Sequence, residues 1–184
     1  LTTPEAYWEA LYPTMQQHPF LLCALDEAAH DLHARRLGQP LYKLWNLEYT
    51  GKPLSNYTIG IGSVEEMVAK MEAMPWPIYK IKLGTDDDMG LVRALRQHTD
   101  ALFRVDANTA WTAEQTLAYA PELKALGVEF IEQPLKPDDW AGQKRLLAEC
   151  PLPVIADESC QLESDVARCA GHFHGINIKL MKCG

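Results

Sequence analysis

No run of apolar residues in this chain approaches the roughly 18 needed to cross a bilayer as a helix. The first residues also lack the basic flank and apolar core of a secretory leader, so the chain is expected to be cytosolic, with no membrane partner. Bases are scarce: 17 stand against 25 acids, for a net charge of -8. With no local basic patch to offset that excess, a nucleic-acid backbone would be repelled. The five cysteines (Cys23, Cys150, Cys160, Cys169, Cys183) contain no Cys-x-x-Cys pair. An odd, scattered set argues against a disulfide framework or zinc knuckle and for buried reduced thiols. Neither a Gly-x-Gly-x-x-Gly string nor a P-loop occurs, and Gly60-Ile61-Gly62 alone does not make a phosphate cradle.

What is present is globular composition: 47% hydrophobic and 23% charged over 184 residues, too apolar for disorder. The chain opens at Leu1 without an initiator Met and stops at Gly184 after an apolar run, so we expect an excerpt truncated at both ends. Leu22, Leu25, Ala29 and Leu32 recur at helical spacing over 21–37, with Gly38 and Pro40 as stop signals. The spacing predicts an amphipathic helix with a core-facing apolar stripe and solvated acids and histidines, followed by a short helix over 41–45. The stretch 48–56, with Thr50, Gly51, Lys52, Pro53, Ser55 and Asn56, is the best boundary. It divides a helical part, 1–50, from a second domain, 51–184.

Beyond the boundary the pattern alternates. Short Ile-, Val-, Leu-, Phe- or Tyr-rich runs at 57–61, 78–83, 102–106, 128–132, 154–157 and 175–180 read as strands. Helical patterns at 64–74, 89–97, 113–126, 140–149 and 161–170 lie between them. This alternation makes parallel βαβ units, and a period of about 25 residues predicts six strands of an α/β fold of partial (β/α)-barrel type. A doubly wound sheet is the alternative.

Five consecutive strands deliver an ionisable residue near their ends: Lys80 and Lys82, Asp106, Glu132, Asp157 and Lys179. Successive separations from Lys82 through Asp106, Glu132 and Asp157 to Lys179 are 24, 26, 25 and 22 residues, one βα unit each. A lone Asp after a strand is most often a helix cap. Three acids from adjacent parallel strands instead converge on one rim of a barrel, where they repel by several kcal/mol unless they are protonated or hold a cation. An all-oxygen set favours a hard ion, Mg²⁺ first and Mn²⁺ second. Lys80 and Lys82, two apart on a strand, share a face. In an eight-stranded closure strands two and six are opposed, which puts Lys82 and Lys179 on opposite faces of a substrate. Two opposed bases beside Mg²⁺ suit removal and return of a proton next to a carboxylate, inverting that carbon.

The strings Lys80-x-Lys82, Asp106-Ala107-Asn108, Glu132-Gln133-Pro134, Ala156-Asp157-Glu158-Ser159 and Lys179 before Lys182-Cys183-Gly184 resemble the enolase superfamily, in its muconate-lactonizing subgroup. The resemblance runs from about residue 21 to the end. It implies that Asp106, Glu132 and Asp157 ligate Mg²⁺, that Lys82 and Lys179 are the acid/base pair working through an enediolate, and that Lys80 assists near the substrate carboxylate. Residues 1–50 are then the C-terminal helices of an α+β capping domain, and 51–184 the first six βα units of the barrel. Tyr57-Thr58-Ile59-Gly60-Ile61 and the run from Ile176 to Gly184 are most similar to the dipeptide epimerases, relatives of L-Ala-D/L-Glu epimerase. A small carboxylate substrate, a dipeptide, and assembly of identical copies are the implied partners. The same three ligands and two acid/base lysines also serve o-succinylbenzoate synthases, N-acylamino acid racemases and cycloisomerases.

Two readings outside this class stay open. A Schiff-base lysine in an aldolase-like barrel, Lys82 or Lys179, would leave the carboxylate cluster without a purpose. A non-catalytic barrel remnant serving as an interaction module would lose nothing from Lys82→Ala. The six histidines are assigned no chemistry, and Trp111, opening a helix after strand three, is read as packing in preference to walling the mouth of the site.

Overall fold

The computed structural model describes residues 3–48, 50–51 and 53–183. Expectations that rest on Leu1, on Gly184, and on Tyr49 and Lys52 within the boundary stretch lie outside the described residues. Two compact units are separable: Leu1–Pro53 with Ile178–Gly184, and Leu54–Asn177. Among the described residues no helix is long and apolar enough to cross a membrane.

The first unit is helical. Helix α1 (Pro4–Met15), which the periodicity did not mark, starts where Thr3 accepts the Ala6 N–H and proline occupies the first turn. Helix α2 (Pro19–Leu37) ends at Gly38, whose φ of 65° allows its N–H to reach back to the Ala34 and Arg35 carbonyls. A short α3 (Leu41–Leu44) follows. The stripe on α2 is only partly core: Leu22, Cys23 and Ala34 are buried, whereas Leu32 is 58% exposed. Nor are all its charges solvated, because His30 and Asp26, one turn apart, lie 3.6 Å from each other with about a sixth of each side chain exposed.

The second unit carries the alternation. Strands β1 (Tyr57–Ile59), β2 (Ile78–Lys82), β3 (Leu102–Asp106), β4 (Val128–Glu132), β5 (Val154–Ala156) and β6 (Gly175–Ile176) pair in parallel in that order. Helices α4 (Val64–Ala73), α5 (Asp88–Arg96), α6 (Ala113–Ala125) and α7 (Trp140–Glu149) connect them. Their starts were written locally: Ser63 with Glu66 and Thr112 with Gln115 form capping boxes, and Asp87 and Asp139 cap α5 and α7. Ile59, Tyr79, Ile81, Phe103, Val105 and Ile131 are buried in one core against the helices. Period-2 alternation therefore turns Lys80 and Lys82 to the other face.

β1 ends at Ile59 rather than at 61, and two expected elements shorten further. The helix over 161–170 resolves into a 3-10 turn, Glu163–Asp165, and one turn of helix, α8 (Val166–Cys169). The strand over 175–180 stops at Ile176, and the chain turns helical as α9 (Leu180–Cys183). A run of alternating apolar residues this short fits a strand or one helical turn equally well, and parallel pairing with β5 ends at Ala156↔Ile176.

Candidate active site

The ladder sets the site. Lys82 pairs with Asp106 across β2 and β3, and Asp106 with Glu132 across β3 and β4. Asp157 is the residue that follows β5. All three carboxylates are buried, and each offers an oxygen within 4.8 Å of the others'. Such a cluster is costly without positive charge, and the chain supplies some of it. The Lys80 ammonium donates to Glu132 Oε1 at 2.7 Å and approaches Asp106 Oδ2 at 3.0 Å. Lys82 Nζ donates to the same Asp106 oxygen at 2.6 Å and to Asn108 Oδ1 at 3.0 Å.

Burial is the largest influence on Lys80 and disfavours its charge, but the hydrogen bond to Glu132 and the charges of Asp106 and Glu132 raise its pKa above the ordinary lysine value. Burial likewise pushes the Asp106 carboxyl upward, and here the two lysines win, holding it below the usual carboxylate range. Glu132 goes the other way: burial, reinforced by the Asp106 charge, lifts its pKa despite the hydrogen bonds from Lys80 and Asn177. Lys80 is thus a partly buried counter-ion with 13% of its side chain exposed, while Lys82 exposes 29%. Three carboxylates facing two ammonium groups leave an excess of negative charge. Their all-oxygen donor set, within reach of one ion, fits a hard divalent cation.

The structure also brings in residues that sequence reasoning quoted only as letters in a motif. Asn108, at a positive φ of 44°, accepts from Lys82 and donates to Glu158 Oε1 at 3.3 Å. Asn177, just past β6, donates to Glu132 Oε1 at 2.8 Å. Gln133 is buried between Glu132 and the loop after β5. Their one sequence signal was position next to a strand end. Lys179 stands on the short segment between β6 and α9, in the helical unit, and Lys182 lies within α9.

The loop that follows Lys82 is anchored by the buried Asp88. Its carboxylate accepts the Gly84 and Thr85 N–H groups, the Thr85 hydroxyl at 2.7 Å and the Trp111 indole N–H at 2.7 Å. Gly84 sits at φ 113°, and a Cβ there would meet Ala110 at 3.1 Å, so the close approach of the two loops requires glycine. Trp111 is buried and stacks edge-on with Tyr119, which is the packing role expected of it.

With the geometry in place the lineage is plain: the chain belongs to the enolase C-terminal domain-like family, which matches residues 63–184. It is 58% identical over 183 residues to the L-Ala-D/L-amino acid epimerase of Maribacter sp., covering 100% of this chain and 54% of that protein. Among solved structures it is similar to a dipeptide epimerase from Enterococcus faecalis complexed with Mg and the dipeptide L-Leu-L-Tyr. The TM-score is 0.83 at 31% identity, over 96% of this chain and 53% of that one. It is also similar to the muconate lactonizing enzyme of Pseudomonas fluorescens complexed with muconolactone, with a TM-score of 0.87 at 27% identity over 100% of this chain and 52% of that one. The chain spans about half the length of the curated relatives it matches.

Proposed function

We propose that this chain forms the metal and general-base half of a Mg²⁺-dependent epimerase that inverts the carbon α to a carboxylate in dipeptides. Asp106, Glu132 and Asp157 are the ligands, with Mn²⁺ as a substitute ion. A bound divalent ion would supply electrostatic stabilisation of the charge that builds on a substrate carboxylate as the α-proton leaves. Lys82 takes that proton at Nζ from one face, and Lys179 serves the other face. Lys80, kept charged by Glu132 and Asp106, does not act as a base; it adds fixed positive charge beside the substrate carboxylate. Asn108 holds Lys82 in its rotamer through the hydrogen bond to Oδ1.

The observation that carries this reading is the meeting of three buried carboxylates within 4.8 Å, with Lys82 on one of them. The dipeptide preference is supported by the relatives' activities. A second reading, cycloisomerisation of an unsaturated dicarboxylate, is favoured by the likeness to the muconate lactonizing enzyme. The test is incubation of the full chain with Mg²⁺ and L-Ala-L-Glu in deuterium oxide, followed by proton NMR, with muconate in a parallel arm. Loss of the Glu α-proton signal together with appearance of the L-Ala-D-Glu diastereomer is expected. Turnover of muconate with an inert dipeptide would assign the second reading instead.

A further inference from the structure

Glu132 ends β4 and Asp157 follows β5, and the side chain of the residue after Glu132 reaches the backbone of Asp157. The Gln133 Oε1 accepts the backbone N–H groups of Asp157 at 2.9 Å and Ser159 at 3.0 Å. Its Nε2 donates to the Leu135 carbonyl and to the Ser159 hydroxyl oxygen, each at 2.9 Å, and that hydroxyl donates onward to the Pro137 carbonyl at 3.1 Å. The Gln133 main chain adds two more bonds: its N–H donates to the Ile155 carbonyl at 2.9 Å, and its carbonyl accepts from Thr109 at 2.8 Å. The residue is 0% exposed and sits at φ 35°, in the left-handed region that L side chains rarely adopt.

The side chain is fully satisfied with its amide in one orientation, because two backbone N–H groups require an oxygen and a carbonyl requires an N–H. Glutamate of the same shape can accept but not donate when ionised, and methionine of the same length does neither. We propose that Gln133 is a positioning residue for the cation site. By tying the backbone of Asp157 to the residue after Glu132, it sets the separation of these two carboxylates before any ion arrives. The inference rests on the reading of Asp106, Glu132 and Asp157 as ligands.

The experiment is calorimetric titration of Mg²⁺ alone into metal-free full chain, at a temperature where circular dichroism shows every variant folded. Gln133→Met should weaken binding about 10–100-fold, the range in which loss of a partner behind a metal ligand falls. Phe103→Leu, a core change away from the carboxylates, should lower the melting temperature and leave the affinity unchanged, which a merely structural role for Gln133 would not distinguish. Gln133→Glu keeps both backbone N–H partners and should weaken binding less than Gln133→Met. It carries the test with the same sign should Gln133→Met fail to fold. Wild-type affinity in the folded Gln133 variant, or equal weakening in Phe103→Leu, would overturn the proposal. Asp157→Asn separates the two readings: if it too binds as wild type does, the ligand assignment fails, whatever Gln133 does.

Discussion

Lys82 Nζ stands 2.6 Å from Asp106 Oδ2, directly across the ladder between β2 and β3. The proposed base and a proposed ligand therefore share one oxygen, which Lys80 also approaches at 3.0 Å. An ammonium and a divalent ion compete for such a carboxylate, so removing the base should not weaken the metal site.

Lys82→Ala should accordingly lose α-proton exchange by about 10²–10⁴-fold, the usual worth of a general base, while its Mg²⁺ affinity stays the same or tightens. Exchange followed by mass spectrometry and binding followed by calorimetry are read on the same preparation. Parallel loss of both would mean that the lysine holds the site together rather than acting as its base.

Lys179→Ala separates exchange from inversion. If each lysine serves one face of the substrate, this variant should exchange the α-proton of only one of the two diastereomers and should convert neither into the other. Chiral chromatography after incubation in deuterium oxide provides the readout. Retained inversion would refute the two-base mechanism.

Mg²⁺ should stabilise the fold by mass action, by about 2.7 kcal/mol at 100 times its dissociation constant. The melting temperature should climb with added Mg²⁺ and fall back with EDTA. Asp157→Asn should show almost none of this dependence, since two carboxylates remain where three stood. A melting curve indifferent to Mg²⁺ in the wild type would count against the site.

Asp88 anchors the loop after Lys82. Asp88→Ala leaves the buried Trp111 indole without its acceptor, an unsatisfied donor that costs about 1–3 kcal/mol, and also removes the hydrogen bonds that the exposed Gly84 and Thr85 N–H groups make to the same carboxylate. Urea unfolding should show a loss of about 3 kcal/mol for Asp88→Ala and about 1 kcal/mol for Trp111→Phe. The double variant should lose less than the sum, because the indole bond is counted in both.

Burial and the neighbouring Cys160 raise the Cys169 thiol to about 11. The folded state thus prefers the neutral thiol more strongly than the unfolded chain does. Its stabilising contribution is complete below the ordinary thiol value of 9.0 and is lost as pH rises from there to about 11. Cys169→Ala should flatten that part of the alkaline loss in urea midpoints, and native Cys169 should resist iodoacetamide at pH 8 until urea is added. Rapid labelling of the native thiol would contradict the assigned environment.

Much of this protein was legible without coordinates. Strand and helix periods differ, 2 against 3.6, and caps such as Ser63 with Glu66 and Thr112 with Gln115 are local hydrogen bonds among residues three apart. Both therefore lie in the order of residues. Repetition of one βα unit did the rest, because parallel strands joined by helices have their ends on one rim. Asp106, Glu132 and Asp157, spaced by that unit, were bound to meet. The folded chain alone decided who answers them. Asn177 on Glu132, Gln133 on Asp157 and Asp88 on Trp111 are partnerships between residues 20 to 50 positions apart. None carries a periodic or local signature. The same holds for the exposure of Leu32 and for the early end of β6, where the helical pattern of 180–183 overrides the apolar run. A hydrogen bond in a dry interior is assigned by which backbone and side-chain groups arrive within about 3 Å of each other, and that is a property of how the strands are stacked, not of how the residues are strung.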